Sequence, residues 1–177
     1  MIQHRGAIYK TVLIGDGGVG KTSIAVRYTE DRFDEQMKMT IGVNFASKKV
    51  EISGSEVTLL LWDLGGQPRF QDVVDGYFRG SKMGIAVYEV TRPFTLYRLD
   101  DWIDRLRSNI AGCPVIIVGN KVDERVEGEG VTREQAMEYA SKYNAIVFEV
   151  SAKTGEGINE LFEAVARLIA RAYLEEA

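Results

Sequence analysis

Apolar residues in this chain follow two patterns. Thr11-Val12-Leu13-Ile14, Met83 to Val90 and Val115 to Val118 are short, nearly unbroken runs. Runs of that length without alternation read as strands buried on both faces. Elsewhere the spacing is helical. Leu96, Leu99, Trp102, Ile103, Leu106 and Ile110 form one stripe, and Ile158, Leu161, Phe162, Val165, Leu168, Ile169 and Tyr173 form another. Large side chains in such stripes read as core.

In chain order the pattern predicts a first strand near 8–14 and a helix running to about residue 31. A polar loop over 32–42 follows, then two strands near 43–52 and 56–63 turned by Ser53-Gly54-Ser55. Residues 64–75 read as a second loop, leading to a short helix near 73–79 that Gly80 ends. A strand at 83–90, one helix from Pro93 through Ile110 and a strand from Val115 come next. Thr132-Arg133-Glu134-Gln135 reads as a capping box opening a helix to about residue 143. A strand near 145–150 precedes the last helix. Strands alternating with amphipathic helices predict an α/β fold in one domain, residues 1–177. Its sheet is six-stranded and mostly parallel, with helices on both faces and one antiparallel edge strand from the hairpin.

Between the first strand and first helix lies Gly15-Asp16-Gly17-Gly18-Val19-Gly20-Lys21-Thr22, which fits G-x-x-x-x-G-K-[ST]. Glycines let backbone N–H groups converge on an anion, and the helix that starts there, through Ser23, adds its own free N–H groups and dipole. Lys21 supplies a full charge for the outer phosphates, and the Thr22 hydroxyl is a hard oxygen that suits Mg²⁺. A glycine-rich turn with a chance Lys-Thr is the plainer reading; the strand–loop–helix context weighs against it.

Three more strand ends carry polar groups. In an open α/β sheet, ligands collect at the carboxyl ends of strands. Asp63, in Trp62-Asp63-Leu64-Gly65-Gly66-Gln67, can hold Mg²⁺ directly or through a water. Gly66 can offer its N–H to a terminal phosphate, and Gln67 can orient a water. A strand-end Asp starting a Gly-Gly turn is the competing reading. After the next strand, Asn120-Lys121-Val122-Asp123 suits guanine. The Asp123 carboxylate can accept from both N1–H and the 2-amino group, whereas adenine presents a lone pair there. Two hydrogen bonds to a charged group, each about 1.5–3 kcal/mol, discriminate strongly. The Lys121 stem can lie over the base, and a backbone N–H of Ser151-Ala152-Lys153 can read the 6-oxo group.

Composition narrows the classes. Net charge is −4, which argues against a nucleic-acid surface. No apolar run approaches the ~20 residues that span a membrane, and the N-terminus has no long apolar signal region. Cys113, the single cysteine, fits a reducing, cytoplasmic setting and reads as a small packing residue. His4, the single histidine, reads as a solvated tail residue.

Together GDGGVGKT, WDLGGQ, NKVD and SAK resemble the motif set of Ras-superfamily small GTPases, in order and at family spacing. Thr40-Ile41-Gly42-Val43-Asn44-Phe45 and Tyr77-Phe78-Arg79-Gly80 resemble Rab proteins most. The resemblance implies a P-loop NTPase G domain: a monomeric switch that binds GTP or GDP with Mg²⁺ and slowly hydrolyses GTP, Lys21 stabilising the transferring phosphoryl group and Gln67 positioning the water. It implies that Phe33 packs on the guanine edge and that Thr40 closes on Mg²⁺ and the γ-phosphate in the GTP state. Residues 32–42 and 64–78 become the two switches. Effectors, an exchange factor and a GTPase-activating protein are the implied partners. Phe45, Trp62 and Tyr77 match the aromatic triad shown to effectors; packing within sheet and hairpin is an equal alternative.

Three departures stand out. Leu64-Gly65 resembles the Arf and Gα version of the motif. Pro68 follows Gln67 and restricts its backbone. The chain ends Leu174-Glu175-Glu176-Ala177, with no prenylation cysteine or polybasic tail, and with Ile2 the N-myristoylation signal is absent too, so that either this member works without a lipid anchor, reaching membranes through a partner, or a tail is missing from this sequence. A P-loop kinase or ATPase is one alternative, opposed by Asn120 to Asp123. A GTP-binding module with little hydrolysis is the other, kept open by Leu64 and Pro68.

Overall fold

Strand β1 (Ile8–Ile14) sits inside the sheet because both its edges are used. It pairs parallel with β3 (Ser55–Leu64) on one side and with β4 (Met83–Glu89) on the other. β3 pairs antiparallel with β2 (Val43–Ile52), and β4 continues parallel to β5 (Val115–Asn120) and β6 (Ile146–Glu149). The order is β2-β3-β1-β4-β5-β6, the predicted six strands with one antiparallel edge. The computed structural model describes residues 6–66 and 71–174.

Alternate residues of each strand enter opposite cores. Leu13, Ile85, Val87, Ile116 and Val118 pack with α1 (Lys21–Glu30) and α6 (Ile158–Ile169). Val12, Ile14, Ala86, Tyr88 and Ile117 pack under α2 (Gln71–Phe78), α3 (Pro93–Tyr97), α4 (Leu99–Asn109) and α5 (Arg133–Ser141). The unbroken apolar runs are therefore strands buried on both sides.

The structure departs from the sequence expectation at several ends. The helix read from 93 to 110 is two pieces meeting at Arg98. Thr95 Oγ1 accepts from the N–H of Glu89 at 2.9 Å and donates to Arg92 O at 2.7 Å, tying the first turn to the end of β4. The apolar stripe runs through the junction, so periodicity alone shows one helix. The second loop is shorter than expected, since β3 reaches Leu64 and α2 begins at Gln71. The hairpin turns on two residues, Ser53 and Gly54, both left-handed (φ 51° and 78°). Two such residues match the twist of the strands they join. Tyr173 lies in a π-helical turn, Ala170–Leu174, and its hydroxyl reaches Lys82 O at 2.9 Å.

Cys113 is buried, and burial pushes its thiol up to about 11. Among the described residues no helix is long and apolar enough to cross a membrane.

The capping box forms as read. Gln135 N–H donates to Thr132 Oγ1 at 3.1 Å, and Thr132 N–H donates to Gln135 Oε1 at 2.9 Å. Thr132→Ala is expected to cost about 1 kcal/mol in a urea unfolding titration, the usual loss of a helix cap.

Candidate functional site

With β1, β3, β4, β5 and β6 parallel, the loops after them meet along one edge of the sheet. Their residues line a cavity of about 460 Å³. Gly17, Gly18, Gly20, Lys21, Thr22 and Ser23 come from the first loop and the start of α1. Phe33 and Thr40 come from the following loop, Asp63 and Gly66 from the end of β3, and Asn120, Lys121, Asp123, Ala152 and Lys153 from the far side. Gly15, Asp16, Val19 and Ser151 support this wall from behind.

Lys21 is buried at the cavity floor, its ammonium donating to the carbonyls of Gly15 and Asp16, both at 2.9 Å. Burial pushes the ammonium down to about 8, and the negative charges of Asp63 and Asp16 pull against that shift. No side chain caps the N-terminus of α1, so its first N–H groups face the loop without a competing acceptor. The second Asp16 contact is an ion pair with Arg98 at 2.6 Å.

Beside Lys21, three oxygens converge. Thr22 Oγ1 lies 2.6 Å from Thr40 Oγ1 and donates to Asp63 Oδ2, which Thr40 Oγ1 also approaches at 3.4 Å. Asp63 is buried, and its Oδ1 has no hydrogen-bond partner among the described residues. Burial raises the Asp63 carboxyl pKa, against the opposing pull of the threonine hydroxyls and Lys21. A buried carboxylate with an idle oxygen beside two hydroxyls is a hard donor set, and it fits Mg²⁺.

At the other end of the cavity, one amide joins two loops. Asn120 Nδ2 donates to Val19 O at 2.9 Å, and Asn120 Oδ1 accepts from Ala152 N–H at 3.1 Å. Asn120 is thus a bridge between the phosphate loop and the 151–155 loop. Asp123 is oriented by Ser151, whose hydroxyl donates to Asp123 Oδ1 at 2.7 Å. The Lys121 ammonium reaches Gly18 O at 3.0 Å and Glu89 at 3.2 Å, which stretches its stem across the cavity wall.

The Leu64-Gly65-Gly66 departure has a packing reason. Leu64 is fully buried under the helices. Gly65 N–H donates to Gly42 O at 2.8 Å, and a Cβ on Gly65 would stand 2.9 Å from Thr40 O. A Cβ on Gly66 would stand 2.4 Å from Gly15 O, from the carbonyl carbon of Asp16 and from Gly17 N. The pair lets this segment lie against both phosphate-side loops.

The model of the Ras family matches residues 10–171 of this sequence. The chain belongs to the Ras family. Similar proteins include Ras-related protein Rab-18-B of Danio rerio, 36% identical over 162 residues, which cover 90% of this chain and 78% of that one. GTP-binding protein ypt5 of Schizosaccharomyces pombe is 38% identical over 160 residues, 89% of this chain and 76% of its own. Ras-related protein SEC4 of Candida albicans is 33% identical over 170 residues, 96% and 80% respectively. This Ras-family, Rab-like protein is a small GTPase, a switch that binds GTP and hydrolyses it to GDP.

In this GTPase the cavity lining takes in the expected Gly17, Gly18, Gly20 to Ser23, Phe33, Thr40, Asp63, Gly66, Asn120, Lys121, Asp123, Ala152 and Lys153, while the expected Gly15, Asp16, Val19 and Ser151 do not line it. Gln67 lies outside the described residues, as do Pro68, Arg69 and His4. Phe45, Trp62 and Tyr77 form a connected row. The Phe45 and Trp62 rings meet edge-on at 4.6 Å, Trp62 and Tyr77 at 6.1 Å, and Phe45 is 59% exposed. Lys10 Nζ lies 3.5 Å from the centre of the Trp62 ring and donates to Tyr77 O and Arg79 O, pinning the row from behind.

Several supporting residues escaped the sequence reading. Glu89 is buried and accepts from Thr91 Oγ1 at 3.0 Å and Arg92 Nε at 2.5 Å while pairing with Lys121. Burial works to raise its carboxyl pKa, but the Arg92 hydrogen bond and the Lys121 charge hold it below the ordinary value. Arg98 pairs with Asp16 and Arg27 reaches Ala152 and Lys153, partners far away in the sequence. As a strand-end acid and helix-surface cations they carry no local signal.

Gly66→Ala is expected to fold but to hold the 64–66 segment off the phosphate loop. The Trp62 fluorescence difference between the GDP state and the state with a non-hydrolysable GTP analogue should shrink severalfold. A difference of wild-type size would show that the contact yields.

Proposed function

We propose that the cavity holds the guanine nucleotide with its phosphates on Gly15 to Ser23 and its base between Phe33, Lys121 and the Asp123–Ser151 pair. One observation carries this reading: Thr22, Thr40 and Asp63 converge beside the Lys21 ammonium, while an oriented carboxylate waits at the opposite end of the same cavity. Thr22, Thr40 and Asp63 are the residues that would hold Mg²⁺. When bound, that ion neutralises charge on the β- and γ-phosphate oxygens. Lys21 and the loop N–H groups stabilise the charge that spreads over the transferring group. Gln67 is proposed to orient the attacking water for in-line displacement.

The same contacts support a switch. Thr40 reaches the metal position from the 32–42 loop, and Gly66 lies against the phosphate loop from the other. Loss of the γ-phosphate removes what both loops share, the usual basis of order–disorder switching in such proteins. Effectors are proposed to read the Phe45–Trp62–Tyr77 row, whose first ring stands well out of the surface. An exchange factor and a GTPase-activating protein complete the proposed partners. The activating protein is proposed to bring an arginine; Arg32 pairs with Glu30 at 2.8 Å and is not itself among the lining residues. The chain is read as a monomer of the cytoplasm, where one buried, weakly acidic thiol stays reduced.

Two variants test the assignment. Asp123→Asn replaces an acceptor with a group that can donate to a 2-oxo base, so competition binding should show preference passing from GDP toward XDP by tenfold or more, about the worth of one charged hydrogen bond. Retained guanine preference would remove Asp123 from the base. Gln67→Leu is expected to bind GTP with unchanged affinity and to slow single-turnover hydrolysis at least tenfold, the low end for losing a group that aids proton transfer or water placement. Unchanged turnover would mean that another group places the water.

A further inference from the structure

Arg27 stands two turns into α1, on the helix that begins at the phosphate loop, yet its guanidinium ends in the loop after β6. Nε donates to Ala152 O at 2.8 Å and the terminal NH2 nitrogen donates to Lys153 O at 2.7 Å. The other terminal nitrogen pairs with Asp31 at 3.3 Å, one helical turn on. The Arg27 side chain is only 17% exposed, so the fork is held within the structure rather than waving in solvent. Two successive carbonyls gripped by one planar group leave little freedom to the peptides that carry them.

The consequence falls on the N–H groups. The peptide bonds of the described chain are trans, and in a trans peptide C=O and N–H point in opposite directions. Drawing Ala152 O toward Arg27 turns the Lys153 N–H the other way, and Lys153 lines the cavity. The neighbouring donors are already engaged. Ala152 N–H goes to Asn120 Oδ1 at 3.1 Å, and Thr154 N–H goes to Ser151 Oγ at 3.1 Å. Among the described residues the Lys153 N–H has no acceptor.

We propose that Arg27 is a positioning residue for base selection: it aims the Lys153 N–H at the 6-oxo oxygen of the bound base. Arg27 itself touches no part of the nucleotide. The inference rests on the guanine reading of the cavity and adds to it which donor meets the 6-oxo group and what orients that donor.

The test compares GDP with 6-thio-GDP, which keeps N1–H and the 2-amino group and exchanges only the 6-oxo oxygen for a weak acceptor. Affinities are measured for the wild type, Arg27→Lys and Arg27→Met, with a thermal melt of each to establish folding. Wild type should bind GDP about tenfold more tightly than 6-thio-GDP, the worth of one hydrogen bond. Arg27→Met should lose most of that ratio by weakening GDP and hardly changing 6-thio-GDP. Arg27→Lys should fall between, because one ammonium cannot span two carbonyls in the same way. Equal weakening of both nucleotides would make Arg27 a plain tether and overturn the proposal. Wild type binding ADP as well as GDP would overturn the guanine reading itself, an outcome separate from the ratio in the variants.

Discussion

Parallel pairing is the constraint on which the rest of this molecule depends. Once β1 lies parallel to both β3 and β4, their carboxyl ends share an edge, and β5 and β6 extend it. Parallel strands need long crossovers, and those crossovers are the helices that bury both faces of the sheet. The loops between strand and helix then all open on one side. Lys21, Asp63, Asn120 and Ala152 are distant in sequence and become neighbours for that reason alone.

Charge is buried at this edge and is compensated locally. The Lys21 ammonium has two loop carbonyls and two nearby carboxylates, Asp63 and Asp16. Asp63 in turn has two hydroxyls, and Glu89 has two cations. Burying an ion is tolerated only when it is paired and hydrogen-bonded. The compensation around Lys21 and Asp63 is incomplete, since Asp63 Oδ1 stays without a partner among the described residues. That deficit gives a polyanion with a divalent cation a reason to enter.

The two ends of the cavity are mechanically joined as well. Asn120 bridges from Val19 to Ala152, Lys121 returns to Gly18, and Arg27 crosses from α1 to the 151–155 loop. Each link joins the 15–22 loop or α1 to the 120–123 or 151–155 loop. The 32–42 loop is held through Thr40, through the Glu35–Lys153 ion pair at 2.8 Å and through the Ser23 hydroxyl against Met37 Sδ, and Gly65 is held by Gly42 O.

Much of this was legible in the chain itself. Unbroken apolar runs marked β1, β4 and β5, which are buried on both faces, and helical stripes marked α4 and α6, whereas the largely exposed β2 was legible mainly through the Ser53-Gly54-Ser55 turn. The phosphate loop, Asp63, Asn120, Asp123 and the capping box at Thr132 were legible because their chemistry is local: a residue type at a fixed spacing from a strand end. The break at Arg98 was not, since the apolar stripe passes through it. Nor were the roles of Arg27, Glu89 and Lys10, or the use of Asn120 as a bridge. Each depends on which backbone carbonyl or ring lies within reach after the sheet has closed, and sequence spacing carries no record of such distances. The residue types at the site are written in the sequence, whereas the side chains that hold those residues in place are decided by the tertiary fold.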